Sequence, residues 1–350
     1  MKTVRSNVRP ITRLSGVAVG VTAVAFALAA CGGGSSAGDG GGTSTEKPKL
    51  AFVIKPLDNT YFGAMAKGAQ AEADKQGVQL TISAAQNVTD DSGQASKLNS
   101  LVTAGYDCYI VNPTSGTNLL TGLAPVSKDG KPIVNLDYPI DTDAASKAGV
   151  KLTTYVGTNN ETAGAAGGDA MVAEIAANSK VALIGGLAGD PGSEARLKGF
   201  KDKVSGKLDV IQTVAADFDK AKAKQAAATL LRAHSDLKGF FTPSGDMALG
   251  IQQAVEEAGK DDKVAVIGVD GTEDQLKDIK AGGEPAAVEQ FPYLMGVQSV
   301  QACLAAIDGK SIPTKVETPV LVVNKDNVDA ALENYPAPPA DFEVPNPFEG

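Results

Sequence analysis

The sequence predicts an α/β protein of two lobes, each a parallel sheet covered by helices on both faces. Three observations predict it: short apolar runs alternate with helical stretches, those runs are apolar at every position instead of every second one, and the order of elements occurs twice. A chain of 350 residues, 43% hydrophobic and 21% charged, carries enough apolar material for two medium cores.

Residues 1–30 read as a targeting signal, with Lys2, Arg5, Arg9 and Arg13 ahead of an apolar run from Val17 to Ala30 that is too short to span a bilayer comfortably. The run ends in Leu28-Ala29-Ala30-Cys31 followed by glycines and serines, which resembles the bacterial lipoprotein signal. Cys31 is therefore expected to carry lipid and to hold the protein at the outer, extracytoplasmic face of the cell membrane. Residues 31–46, rich in Gly and Ser, are expected to be a flexible tether. The formal charge is −9, and removing the four basic leader residues takes it to −9 − 4 = −13. A surface that acidic repels nucleic acid, and none is expected as a partner.

Folding starts near Lys47. The run Lys49–Ile54 is a strand, followed by a loop, a helix holding Lys67-Gly68, and a strand at 78–83. The run 180–184 repeats this, with a helix holding Lys198-Gly199 and a strand at 208–214; Lys67 and Lys198 stand as far apart as Lys49 and Lys180. A helix at 94–104 leads to a strand at 108–112 and Pro113, as a helix at 220–233 leads to 239–242 and Pro243. A third pair, 133–137 and 264–270, ends each time in aspartate, Asp137 and Asp270. Such internal repetition signals a duplicated architecture. In open parallel sheets the ligand crevice lies beyond the C-terminal strand ends, so the loops after Ile54, Asn112, Leu136, Ile184, Thr242 and Val269 should face it.

Those loops argue against catalysis. The one histidine, His234, lies in a helix-to-strand connection at the end remote from the crevice, where a surface role is expected, and it cannot build a histidine-rich metal site or a nucleophile triad there. The loop after Ile54 lacks the glycines of a nucleotide loop, and Gly185, Gly186, Gly189 and Gly192 have the wrong spacing for one. No cofactor and no metal are expected. The loops offer instead acids, amides and rings: Asp58, Asn59, Tyr61 and Phe62; Asp137 and Tyr138; Phe218; Asp270; Gln290, Phe291 and Tyr293. Carboxylates accept from neighbouring hydroxyls, amides donate and accept, and aromatic faces cover C–H patches, a combination suited to a neutral polyhydroxylated ligand. Asn59 is equally read as a helix cap, and Asp137 and Asp270 as turn formers, but their equivalent strand ends favour a shared site. Cys108 and Cys303, each in an apolar stretch, are read as buried structural thiols; an exported compartment would permit them to pair, and spacing does not decide it.

Across nearly all of 47–327 the chain resembles the ribose-binding branch of the periplasmic sugar-binding proteins. The resemblance is carried by the stretches 58–62, 110–113, 136–137, 216–219, 246–250, 268–272 and 289–292 in their order and spacing. It implies two Rossmann-like lobes joined by a three-strand hinge, the type I periplasmic-binding-protein fold, with Asn59, Tyr61, Phe62, Asp137, Phe218, Asp270 and Gln290 as ligand residues. The chain departs from the family where arginines are usual, with Glu194 at the first position of an arginine pair that keeps only Arg196, Tyr138 after the first-lobe aspartate, and Ser244 in place of an asparagine. Glu194, Tyr138 and Ser244 are thus further candidate ligand residues, and a site richer in acceptors would favour a polyol or cyclitol over ribose.

The expected organisation is 47–156 plus 290–318 as the N-terminal lobe, 157–289 plus 319–335 as the C-terminal lobe, and 336–350 as a Pro-rich tail. By the same resemblance the protein is expected to be a monomer that captures a small neutral sugar or sugar alcohol and delivers it to the membrane permease of an ABC-type importer. Two alternatives stand beside this reading: the ligand-capturing component of a sensory system for a sugar-like signal such as a furanone, and a Rossmann-like enzyme.

Overall fold

The computed structural model describes residues 47–342, 344 and 346–348; the leader, Cys31 and the tether lie outside the described residues. The first half runs β1 (Lys49–Ile54), α1 (Thr60–Gln76), β2 (Gln79–Ala84), α2 (Asp91–Ala104), β3 (Cys108–Val111), α3 (Leu120–Lys128), β4 (Ile133–Leu136), α4 (Thr142–Lys147) and β5 (Thr154–Thr158). The second half runs α5 (Asn160–Glu174), β6 (Lys180–Gly185), α6 (Pro191–Val204), β7 (Asp209–Ala215), α7 (Lys220–Ala233), β8 (Leu237–Thr242), α8 (Gly245–Glu257), β9 (Ala265–Asp270), α9 (Glu273–Ala281) and β10 (Ala286–Glu289). It closes with α10 (Pro292–Ile307), β11 (Lys315–Thr318), β12 (Leu321–Asn324) and α11 (Val328–Asn334).

The strands make two sheets of six, ordered β11-β5-β4-β3-β1-β2 and β12-β10-β9-β8-β6-β7. Leaving aside the two late edge strands, both are the same doubly wound order, so the repetition in sequence is a repetition of topology. Every pairing is parallel but one: β11 adds to β5 in parallel, whereas β12 runs antiparallel to β10. Only two residues separate β11 from β12, so the chain enters the second sheet without turning back, and β12 is an antiparallel edge on an otherwise parallel sheet.

The central strands are mostly apolar because successive residues serve different cores, whereas the edge strands β2, β7 and β11 carry polar residues. Leu50, Phe52 and Ile54 of β1 join one cluster and Ala51 and Val53 another; Ala182 and Ile184 of β6 are likewise set against Val181 and Leu183. The chain passes between sheets after Thr158, after Glu289 and after Thr318. The first two crossings exchange helices. α5 leaves the first sheet to pack on α6, and α10 leaves the second to pack on α1. This explains the repeated Lys-Gly pair. A Cβ on Gly68 would strike the backbone of Tyr293 in α10, and one on Gly199 would strike the backbone of Glu161 in α5, so both positions hold the residue that lets two helix backbones touch.

The two cysteines form a disulfide, Cα–Cα 5.7 Å, joining β3 to α10. Their reading as separate buried thiols is thereby corrected: α10 returns along the sheet so that Cys303 lies over Cys108 despite a sequence separation of 195.

Candidate functional site

The C-terminal ends of the two sheets meet at one cleft of about 410 Å3, walled by residues at or after the C-terminal ends of β1 to β9. Its walls come from both halves of the duplication.

Asp137 follows the last residue of β4 with φ of 61°, and Asp270 ends β9 with φ of 107°. Both sit in backbone regions costly for a side-chain-bearing residue, and such cost persists only where the surroundings impose it. At Asp137 the amide donates to Val156 O at 2.8 Å and Tyr155 Oη donates to the carbonyl at 2.6 Å, which fixes the turn. Its carboxylate then accepts from Tyr61 Oη at 3.0 Å and from Asn112 Nδ2 at 2.9 Å. Burial, then the nearby Asp137 charge, holds the Tyr61 phenol well above its ordinary range, so Tyr61 is a donor to Asp137 at any neutral pH.

Asp270 accepts from Gly245 N, at the start of α8, at 2.9 Å and from Gln290 Nε2 at 2.7 Å, with Arg196 Nη1 at 3.7 Å. Burial outweighs these favourable contacts and pushes its carboxyl up to about 7. Arg196 is itself fixed on three sides: Nε donates to Asn160 Oδ1 at 2.7 Å, Nη1 to Pro243 O at 2.6 Å and Nη2 to Gln290 Oε1 at 2.9 Å. Gln290 therefore stands between arginine and aspartate, accepting from one and donating to the other.

Of the ten candidate ligand residues, Asn59, Tyr61, Phe62, Asp137, Tyr138, Phe218, Ser244 and Asp270 line the cleft. Asn59 does so while capping α1, its side chain accepting from Tyr61 N at 2.9 Å. Ser244 precedes α8 without a side-chain cap bond, which leaves its hydroxyl for the cleft. The Phe218 ring, on a residue with φ of 57°, fills the space beside Gly186 that a Cβ there would occupy. The other two do not line the cleft. Gln290 is fully buried behind the wall, as a support for Asp270.

Glu194 is exposed on α6 beside Leu197, Lys198, Lys201 and Asp202, away from the cleft. Residues two apart on a helix point to different sides, so with Arg196 turned inward Glu194 is turned out. The expectation that Glu194 adds an acceptor to the cleft is corrected accordingly.

The sequence reading passed over Lys55, Thr114, Asn160, Asp190 and Asp246, all of which line the cleft. Lys55 matters most. It directly follows β1, is nearly buried, and sets its ammonium 4.3 Å from the Tyr138 ring centroid and 5.4 Å from that of Phe62. Burial lowers its pKa, opposed by Asp137 and Asp190. Its position at a strand end was the available signal, the same one that picked out Asp137. The cleft thus holds five carboxylates, Asp137, Asp190, Asp217, Asp246 and Asp270, against three cations, Lys55, Arg196 and Lys222. Among the described residues, no group of three or more His, Cys, Asp or Glu is placed to hold a metal ion. His234 ends α7, outside the cleft lining.

The family profile described as a periplasmic binding protein domain matches residues 50–311. The D-allose-binding periplasmic protein of Escherichia coli strain K12 is 33% identical over 269 residues, covering 76% of this chain and 86% of that protein. The ribose import binding protein of Bacillus subtilis strain 168 is 30% identical over 271 residues, 77% of this chain and 85% of that protein. Among solved structures, an ABC transporter periplasmic solute binding protein from Actinobacillus succinogenes 130z with bound D-allose superposes with a TM-score of 0.77 at 26% identity, over 81% of this chain and 99% of that one. With two doubly wound lobes meeting at one acid- and aromatic-lined cleft, and with a profile match over most of its length, this chain belongs to the periplasmic binding protein family.

Proposed function

We propose that this protein captures a small neutral sugar or sugar alcohol between its two lobes and presents it, outside the cytoplasm, to the permease of an ABC-type importer. The observation that carries this reading is the placement of Asp137 and Asp270, one at the end of a strand in each lobe, on the wall of a single cleft with Tyr61, Phe62, Tyr138 and Phe218 around them. Carboxylates receive hydroxyl protons, Lys55, Asn59 and Ser244 offer donors, and ring faces cover the C–H surface of a pyranose or furanose. The excess of carboxylates over cations disfavours sugar acids and sugar phosphates, which would bring further negative charge into a partly desolvated space. A ligand held from both sides binds the closed arrangement better than the open one, and that differential affinity supplies the signal a permease reads. The import-binding names of the relatives support the transport role; the sensory alternative gains nothing from them. The Cys31 pattern supports lipid anchoring ahead of the folded part.

A thermal-shift panel of pentoses, hexoses, polyols, inositols, sugar acids and sugar phosphates tests the reading. A neutral member is expected to stabilise the protein by about 2.7 kcal/mol at a hundredfold excess over its Kd, with no shift from the anionic members. A panel in which only anionic members act, or none does, would remove the proposal.

The raised carboxyl of Asp270 adds a pH signature. Its folded pKa of about 7 lies above the ordinary carboxylate range, so folding takes up a proton and the ligand-free protein loses stability as pH rises from about 4 to about 7. Glu289, pushed up to about 8 by burial, acts in the same direction. Ligand hydroxyls donating to Asp270 favour its ionised form, so affinity should rise by up to about tenfold per pH unit below 7 and level off above it. Calorimetric titration between pH 5 and 8 checks this; a flat profile would show that the ligand does not engage Asp270.

A further inference from the structure

The stretch that the sequence marks only as a Pro-rich tail binds both lobes. α11 packs on the second lobe, where Val328 and Ala331, with Leu332 and Tyr335 at the edge, share a cluster with Leu276, Ile279, Ala287 and Val323. Beyond it the chain passes over the point where β10 hands on to α10: the Phe342 ring lies 5.0 Å from that of Phe291, a fully buried residue with φ of 55° between β10 and α10. It then reaches the first lobe, where Phe348, only 6% exposed, belongs to the core cluster of Leu50, Phe52, Met295 and Val300.

From these contacts we infer that the C-terminal segment is a fourth connection between the lobes, a strap laid along the hinge that favours the closed arrangement. Pro336, Pro338 and Pro339 stiffen the approach to Phe342, and Pro347 the approach to Phe348, since each fixes its own φ and biases the residue before it to an extended form. A stiff segment with an aromatic anchor at the crossing and another in the far lobe transmits strain when the lobes swing apart, where a flexible one would go slack. The contacts exist in an arrangement whose cleft is walled from both sides, and on this inference opening stretches the strap or lifts an anchor. The energy held by the two rings is therefore added to the closed state whether or not ligand is present. This inference rests on the lobes closing over ligand, the reading proposed above.

Phe342→Ala, Phe348→Ala and a chain ended after Ala337 test it by two readouts. Small-angle scattering of the ligand-free protein needs no ligand, and so separates failure of the strap from failure of the sugar reading. Each variant is expected to increase the radius of gyration toward that of an open form. The Kd for the sugar that gives the largest thermal shift is expected to rise several-fold, through faster dissociation. Should Phe348→Ala fail to fold, Phe342→Ala, whose ring is only half-buried, carries the test. An unchanged radius overturns the inference even if the melting temperature falls, because a merely structural tail would do that. A wider ligand-free ensemble with an unaltered Kd overturns it as well.

Discussion

Arg196→Ala is expected to abolish ligand-induced stabilisation and to cost the ligand-free protein about 3–5 kcal/mol, because three acceptors lose their donor at about 1–3 kcal/mol each. The guanidinium satisfies Asn160 Oδ1, Pro243 O and Gln290 Oε1 and lies 3.7 Å from Asp270. Alanine leaves those three acceptors with no donor in a largely dry space. It also removes the charge that most lowers the Asp270 pKa, so the carboxyl rises beyond about 7 and is protonated at neutral pH. Gln290, released from the arginine, no longer has its amide turned by two partners. Asp137→Ala should behave differently. It too should lose binding, but Tyr61 and Asn112 give up only one bond each, and Lys55, which loses its largest counter-charge, keeps Asp190 and can shed its proton, so the expected stability cost is about 1–3 kcal/mol. Denaturation with and without ligand, run on both variants, checks the contrast; equal losses would mean that Arg196 is no more than one polar group among several.

That contrast is new to the structure, and its origin marks how far the sequence could be read. The aspartates were legible because a duplicated chain places equivalent strand ends at equivalent points, and strand ends in a parallel sheet face the crevice. The doubly wound order was legible for the same reason, and even the repeated Lys-Gly pair carried information, since only glycine admits the backbones of Tyr293 and Glu161. What failed depended on rotation and on distance in space. Glu194 and Arg196 are two residues apart, and no motif states which of them the helix turns inward. Gln290 has the right neighbours but sits a layer behind the wall, because the side chain after Glu289 points to the interior where the chain leaves the sheet. Lys55 was passed over because a lysine after an apolar strand reads as solvated, whereas here aromatic faces surround it. The tail was passed over because its apolar residues have neither period.

The disulfide was the other long-range contact that spacing could not reveal, and its removal is the second large expected effect. Replacing both Cys108 and Cys303 by alanine should lower the unfolding free energy by about 2–5 kcal/mol, the usual cost of losing a native bridge. The high end is favoured because the bridge closes a loop of 195 residues, and the restriction placed on the unfolded chain grows with loop length. Its place in the fold adds a second reason. The first lobe is assembled from two separated stretches, one ending with β5 and the other beginning with α10, and all of the second lobe except β12 and α11 is threaded between them. The bridge joins those two stretches directly, so a first lobe that opens locally cannot shed α10. Both cysteines are fully buried, and alanine leaves no polar group behind. None of the cleft-lining residues belongs to α10, so at a temperature where the variant stays folded its ligand affinity should remain within about twofold of the parent. Urea unfolding of parent and variant, each with and without reductant, separates the bridge from the substitutions themselves. Reductant should bring the parent down to the variant and leave the variant unmoved. A parent indifferent to reductant under unfolding conditions would show that the bridge adds nothing to stability, and that packing alone holds α10 in the first lobe.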